Sequence, residues 1–250
     1  IVGSNIVNIL LILGISGIIG SLKVQSSTVW KEIPFSLLAV IVLVVFANAH
    51  VLDKLNFNSI LKFEGIVLVL FFIIFLYYVF GLARKNKLKL DDKKIEIKKY
   101  SGGIIFLMII GGLIALYFGG KWTVDGAILI ARAFGLSEYF IGLTIVAVGT
   151  SLPELVTSIV AAIKKQNDLA VGNIVGSNIF NIFWILGLTA IINPIVIPVS
   201  ANIDLLVLLV ATVLLFVFMF LGKRHELDRW QGIMFVIMYV VYVVYLTGRG

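Results

Sequence analysis

Seven uninterrupted charge-free runs, at 1–22, 33–49, 65–83, 102–120, 169–203, 205–222 and 230–248, dominate this chain, and an eighth, 139–163, carries a single charge, Glu154. An α-helix rises about 1.5 Å per residue, so about 20 apolar residues cross the hydrocarbon of a bilayer. Runs of that length predict eight membrane-spanning helices. The 169–203 run is longer because it includes an exit turn, from Asn193-Pro194 to Pro198. Barrel strands would alternate polar and apolar residues over about 10 positions, and these runs do not. Hydrophobic residues make up 61% and charged residues 13% of the chain, whereas soluble domains run near 45–50% and about 25%. The expected class is therefore an all-α integral membrane protein, with the lipid bilayer as its partner.

The net charge of +7 could suggest nucleic acid, but its distribution points elsewhere. When the gaps between spans are numbered alternately, one set holds fifteen of the basic residues, including Lys23, Lys31, Arg84 to Lys99, Lys164, Lys165 and Lys223 to Arg229. The other set holds five: Lys54, Lys62, Lys121, Arg132 and Arg249. Lysine and arginine near helix ends stay on the cytoplasmic side. The fifteen-residue side is then inside, and 84–100 is a basic cytoplasmic linker. This pattern predicts a multi-pass protein of the cell (cytoplasmic) membrane that binds no nucleic acid. The chain has no cysteine, which excludes disulfides.

Residues 1–24 (IVGSNIVNILLILGISGIIGSLKV) and 174–197 (IVGSNIFNIFWILGLTAIINPIVI) are identical at thirteen of 24 positions, at an offset of 173. A second match pairs Lys62-Phe63-Glu64-Gly65-Ile66 with Arg229-Trp230-Gln231-Gly232-Ile233, each opening an aromatic-rich span. Five spans begin between the start of one copy and the start of the next. Five is odd, so the copies enter the membrane from opposite sides. Inverted repeats are the architecture of many secondary transporters, with the ion site near the midplane where the repeats meet. The expected organisation is 1–83 as the remainder of a first inverted repeat with three helices, 84–100 as the linker, and 101–250 as a second repeat with five helices.

The 139–163 span contains Gly149-Thr150-Ser151-Leu152-Pro153-Glu154. Pro153 lacks an N–H and frees backbone carbonyls. Gly149 lets another backbone approach. Thr150, Ser151 and Glu154 supply oxygen, and helical spacing puts all three on one face. A carboxylate at the centre of a bilayer helix costs about 2.5–3.5 kcal/mol, which a bound cation or a proton offsets. Calcium and sodium are hard cations that take oxygen ligands, about 6–8 of them for calcium. The next span carries Gly172-Asn173, Gly176-Ser177-Asn178 and Asn181. Ser177 and Asn181 share a face, as do Ser4 and Asn8 in the first copy. These four fit equally well as ligands without charge and as interhelical hydrogen-bonding glue.

These residues resemble the α-repeats of the sodium/calcium exchanger family within the calcium/cation antiporters, where a GTSxPE helix precedes a GNxxGSN helix in each half. Gly149 to Glu154 and Gly172 to Asn181 match the second α-repeat, and Ile1 to Asn8 matches the later part of the first. The resemblance covers essentially the whole chain. It implies helices three to ten of a ten-helix fold, with transported Ca²⁺ and Na⁺ between the α-repeats and no covalent cofactor. The implied ligands are Glu154, Thr150, Ser151, Ser177, the backbone carbonyl of Ala147, and Ser4 from the other half. Asn8 and Asn181 then occupy the polar centre. Some relatives, including potassium-dependent exchangers, carry aspartate at the Asn181 position, so asparagine at both positions implies potassium independence. A first GTSxPE helix does not occur in the chain. Ile1 begins mid-motif, and repeat symmetry places a counterpart of 101–173 before it, so an N-terminal segment is expected.

The expected function is secondary antiport of sodium against calcium, by a protein acting as a monomer. The alternative is a proton/calcium antiporter in which Glu154 exchanges a proton. A cation channel ranks below both, because nothing resembles a selectivity filter. An intramembrane enzyme is disfavoured, because the polar set lacks a paired nucleophile and base and both histidines lie outside the spans. Trp30, Trp122 and Trp230 suit aromatic belts, His50 and His225 suit the headgroup level, and Asp125, Lys121 and Arg132 suit the outer end of a long helix.

Overall fold

The computed structural model describes residues 1–49, 59–90 and 101–249. His50, Asp53 and most of the basic linker, from 91 to 100, lie outside the described residues. The chain forms helices at α1 (Val2–Ile19), α2 (Thr28–Ala47), α3 (Lys62–Leu90), α4 (Gly102–Ala133), α5 (Glu138–Thr150), α6 (Leu152–Ile163), α7 (Asn167–Ile192), α8 (Ala201–Phe218) and α9 (Arg229–Arg249). Seven are long and apolar enough to span a membrane on their own, and the bent pair α5–α6 makes the eighth span. The eight expected spans therefore appear in order. One boundary differs: α3 runs on to Leu90, seven residues into the stretch expected to be linker. Lysine, arginine and leucine are good helix formers, so the charges there mark where lipid ends and not where the helix does. The 32 residues of α4 span about 48 Å, longer than the hydrocarbon is thick.

The repeat is visible at every level of the packing. Two stretches with π-type bonding, Val7–Leu13 in α1 and Phe180–Leu186 in α7, occupy the same positions under the offset of 173. Such wide turns are uncommon and often accompany functional sites. Short antiparallel ladders close each rim. One pairs β1 (Leu22–Lys23) with β4 (Glu226–Leu227), and the other pairs β2 (Ser59–Ile60) with β3 (Ile195–Val196). Glu64 accepts from the N–H of Leu61 at the head of α3, and its counterpart Gln231 accepts from the N–H of Asp228 at the head of α9. Each side chain thus caps its helix by satisfying an orphan donor.

Glycines let the same helix pairs touch at backbone distance. A Cβ on Gly232 would lie 2.7 Å from the carbonyl oxygen of Gly14, and one on Gly65 would lie 2.7 Å from that of Gly187. In lipid, where apolar surface gains nothing by leaving its surroundings, such close approach is a main source of helix association. The repeat helices α1 and α7 form the centre, with 72% and 50% of their apolar windows buried, whereas the window of α4 is 0% buried. Large apolar side chains such as Phe63, Tyr77, Phe106 and Trp122 cover the outside, as a surface facing hydrocarbon requires. Trp30 and Trp230 are exposed in the first turns of α2 and α9. His225 is a turn residue with φ of 59°, and its backbone bonds Met219 and Val24.

Candidate cation site

The candidate residues converge where α1, α7 and the α5–α6 break meet. Ser151 is the hinge. Its φ and ψ of −94° and 5° leave the helical region, Pro153 stands in the first turn of α6, and the two helices bend by 48°. Proline cannot donate to the turn before it, so the break falls where the sequence predicts. The bend also corrects one expectation. Thr150, Ser151 and Glu154 do not share one helix face, because the face is interrupted between them. Ser151 is fully buried, with its hydroxyl 2.8 Å from that of Ser4. Thr150 is exposed, and its hydroxyl turns back to the carbonyls of Val146 and Ala147 at 3.0 and 3.1 Å. The Ala147 carbonyl also accepts from the N–H of Ser151 at 3.2 Å. Gly149 admits a neighbour as expected, but that neighbour is the side chain of Val124 on α4 and not a backbone.

Glu154 lies in the first turn of α6. The hydroxyl of Ser177 on α7 donates to its Oε1 at 2.8 Å, while Oε2 is buried with no hydrogen-bond partner. Among the described residues no lysine, arginine or histidine pairs with it. Asn173 binds the Glu154 carbonyl at 3.4 Å and the Ser158 hydroxyl at 3.2 Å, which fixes α6 against α7. Asn8 on α1 approaches the same group from the other side. Its Nδ2 donates to Ser177 Oγ at 3.4 Å and to Asn178 Oδ1 at 2.9 Å, and its Oδ1 is buried and unpartnered. A buried carboxylate oxygen and a buried amide oxygen without donors are costly in a low dielectric. Together with the hydroxyls they make a nest of hard oxygen acceptors carrying one negative charge, the donor set that suits sodium and calcium.

The structure adds two residues that sequence reasoning quoted within motifs but did not single out. Asn5 and Asn178 are fully buried at the crossing of α1 and α7. Asn5 Nδ2 donates to the Asn178 carbonyl at 3.4 Å, and Asn178 Nδ2 donates to the Asn5 carbonyl at 3.3 Å. Asn181 Nδ2 completes the set by donating to Asn5 Oδ1 at 2.9 Å, the symmetry counterpart of the Asn8–Asn178 bond. Asn5 and Asn178 are identical under the offset of 173, and that signal could have found them. Thus Glu154, Ser177, Asn8 and Asn181 lie in one hydrogen-bonding cluster through Asn5 and Asn178, while Ser4 and Ser151 form a separate bonded pair at the break, with Ala147 and Thr150 beside it on α5.

Known proteins resemble this chain over nearly its whole length. Residues 1–81 and 104–248 match the family described as "Sodium/calcium exchanger protein". The chain is 35% identical over 245 residues to the putative antiporter CaxA of Alkalimonas amylolytica, covering 96% of this chain and 75% of that protein. It is 29% identical over 280 residues to the sodium/calcium exchanger MaX1 of Methanosarcina acetivorans, covering 98% and 78%. A solved structure of the sodium-calcium exchanger NCX_Mj, soaked with 2.5 mM Na⁺ and 10 mM Sr²⁺, superposes with a TM-score of 0.72 at 32% identity, covering 97% of this chain and 74% of that one. With an inverted repeat at its centre and eight spans around it, the chain belongs to the sodium/calcium exchanger family of membrane antiporters.

Proposed function

We propose that this protein exchanges sodium for calcium across the cytoplasmic membrane, both ions competing for one site at Glu154. The observation that carries this is the Glu154 carboxylate: a buried oxygen in a membrane span with no hydrogen-bond partner and no paired basic residue among the described residues. An intramembrane carboxylate needs compensating charge. The Ser177 hydroxyl stands next to it, the Asn8 amide bonds that hydroxyl, and the Ser4–Ser151 hydroxyl pair lies at the neighbouring break, so the compensating species is a cation held by oxygen. Ala147 and Thr150 contribute from α5, and Asn181 supports the pair Asn5–Asn178 behind the site. Asparagine at positions 8 and 181, where some relatives carry aspartate, leaves Glu154 as the one carboxylate among the described residues of the cluster, which fits exchange without potassium.

In this proposal the rim carrying Lys23, Lys164, Lys165 and Lys223 faces the cytoplasm. Residues 1–83 belong to the first repeat and 101–250 to the second, with the basic stretch 84–100 between them. The cluster is enclosed by helices of one chain, so a monomer suffices for transport. The direct test is ⁴⁵Ca²⁺ uptake by the full-length protein in proteoliposomes, with and without an outward Na⁺ gradient. Uptake that requires the sodium gradient and ignores potassium supports the proposal. Uptake that follows a pH gradient and ignores sodium overturns it in favour of proton coupling.

A further inference from the structure

A second buried carboxylate lies at the rim opposite the basic one. Asp204, in the first turn of α8, has a side chain that is 1% exposed. Tyr242 of α9 donates its hydroxyl to Oδ1 at 2.9 Å, and Arg249 of α9 binds both oxygens at 3.2 and 3.3 Å. Tyr139 of α5 donates its hydroxyl to Oδ2. Arg249 also donates to the Ser200 carbonyl, reaches the Tyr139 hydroxyl at 3.4 Å, and stacks 5.0 Å from the centroid of the Tyr139 ring. Unlike Glu154, Asp204 is fully paired, so its geometry suits holding helices and not carrying ions.

What it holds is the corner where α4 meets α5. The α4 window is unburied, and an apolar cavity of about 300 Å³ separates α4 from α5, lined by Val124, Ala127, Ile145 and Val148. Arg132 at the end of α4 binds Glu138 at the start of α5 at 2.7 and 3.1 Å, so the corner moves as one piece. Among the described residues, side-chain hydrogen bonds join the α4–α5 arm to the remaining helices in two places. One is Ser151–Ser4 at the site, and the other is Tyr139 with Asp204 and Arg249 at the rim.

We infer that Asp204 is a positioning residue for transport: it clasps the outer end of α5 through Tyr139, and release of that one hydroxyl frees the α4–α5 corner to swing away from α8 and α9 and open the cation site to this rim. The inference rests on the reading of the Glu154 cluster as the transport site. The choice of Tyr139 as the bond that parts follows from charge. Separating Arg249 from Asp204 would strand a fully buried carboxylate without its counter-charge, which is strongly destabilising. Withdrawing a neutral hydroxyl leaves the carboxylate paired with Arg249 and Tyr242.

The chain contains no cysteine, so Leu143→Cys places a unique thiol on α5 where it packs against Gly3 of α1. With the full-length protein in proteoliposomes, a membrane-impermeant maleimide is applied from the Asp204 rim. Adding Tyr139→Phe or Asp204→Asn should raise the labelling rate about tenfold, the scale of one lost charge-assisted hydrogen bond. The same variants should weaken apparent Ca²⁺ affinity from that side, and Asp204→Glu should restore part of both. Tyr139→Phe removes a single oxygen and keeps the ring, so it reports even where Asp204→Asn fails to insert. An unchanged labelling rate in Tyr139→Phe overturns the inference, whether exchange falls or not. Absence of sodium-driven uptake in the parent protein counts against the Glu154 reading instead, and the labelling comparison still decides the clasp.

Discussion

Ser177 Oγ lies 2.8 Å from Glu154 Oε1, joining the helix that begins at the proline break to the helix that repeats the start of the chain. The bond uses one carboxylate oxygen and leaves the other buried and open. The hydroxyl therefore aims the carboxylate without neutralising it.

Glu154→Gln keeps the side-chain shape and removes the charge. Sodium-driven ⁴⁵Ca²⁺ uptake should fall by about a hundredfold or more, since about 3 kcal/mol of intramembrane charge compensation is lost. The variant should still insert and elute as the parent does, because a neutral amide in a membrane span is less costly than a carboxylate. Uptake retained within about threefold would show that the cation is held elsewhere.

Ser177→Ala takes away the aiming hydroxyl and a neutral ligand together. A hydrogen bond to a charged group contributes about 1.5–3 kcal/mol, so the Ca²⁺ concentration giving half-maximal uptake should rise at least about tenfold. Maximal rate should change less than this affinity. Saturation curves for uptake against external Ca²⁺ separate the two.

The asparagine crossing is a matter of stability. Asn178→Ala leaves the Asn5 carbonyl and the Asn8 amide without their 3.3 and 2.9 Å partners. Each unsatisfied buried group costs about 1–3 kcal/mol, so thermal unfolding in detergent should move to clearly lower temperature. Adding Asn8→Ala removes the orphaned amide as well. The double variant should lose less than the sum of the single ones, with a coupling of about 0.5–3 kcal/mol. Strict additivity would mean that the Asn8–Asn178 bond contributes nothing of its own.

Two glycines give a paired control. Gly65→Ala sets a methyl 2.7 Å from the Gly187 carbonyl oxygen and 3.0 Å from the Cβ of Ala190, forcing α3 away from α7. Overpacking of this kind costs about 1–3 kcal/mol. Gly81→Ala, further along α3, meets nothing within 4 Å and should be neutral or stabilising by up to about 1 kcal/mol. Unfolding temperatures of the two variants in one detergent decide whether backbone contact or helix propensity governs α3.

Much of the fold was legible because lipid simplifies the code. Each span is announced by its own uncharged length, and Pro153 announces the break in the one span that bends. The repeat was legible too, and it led to Ser4, Asn8, Ser177 and Asn181 by position alone. Three features were not. The end of α3 at Leu90 was hidden because a helix can continue into water on good helix formers. Thr150 was placed on the face of Glu154 by uninterrupted helical spacing, which the bend at Ser151 cancels. Asp204 read only as the charge dividing two apolar runs, because its partners Tyr139, Tyr242 and Arg249 come from distant parts of the chain and no local pattern joins them.

The crossing of Asn5 with Asn178 has one more consequence. Each of these residues bonds the backbone of the other, and each accepts from the asparagine three residues on in the other's helix. That is the contact pattern of an isologous dimer, in which a surface recognises itself. If the halves arose by duplication, their ancestor was a single short polypeptide whose copies met head against tail in the bilayer. One substitution in that ancestor altered both sides of the seam at once. Fusion into a single gene freed the sides to differ, and the six-residue block from Ile1 to Ile6 that reappears unchanged at Ile174 to Ile179 marks where they have not.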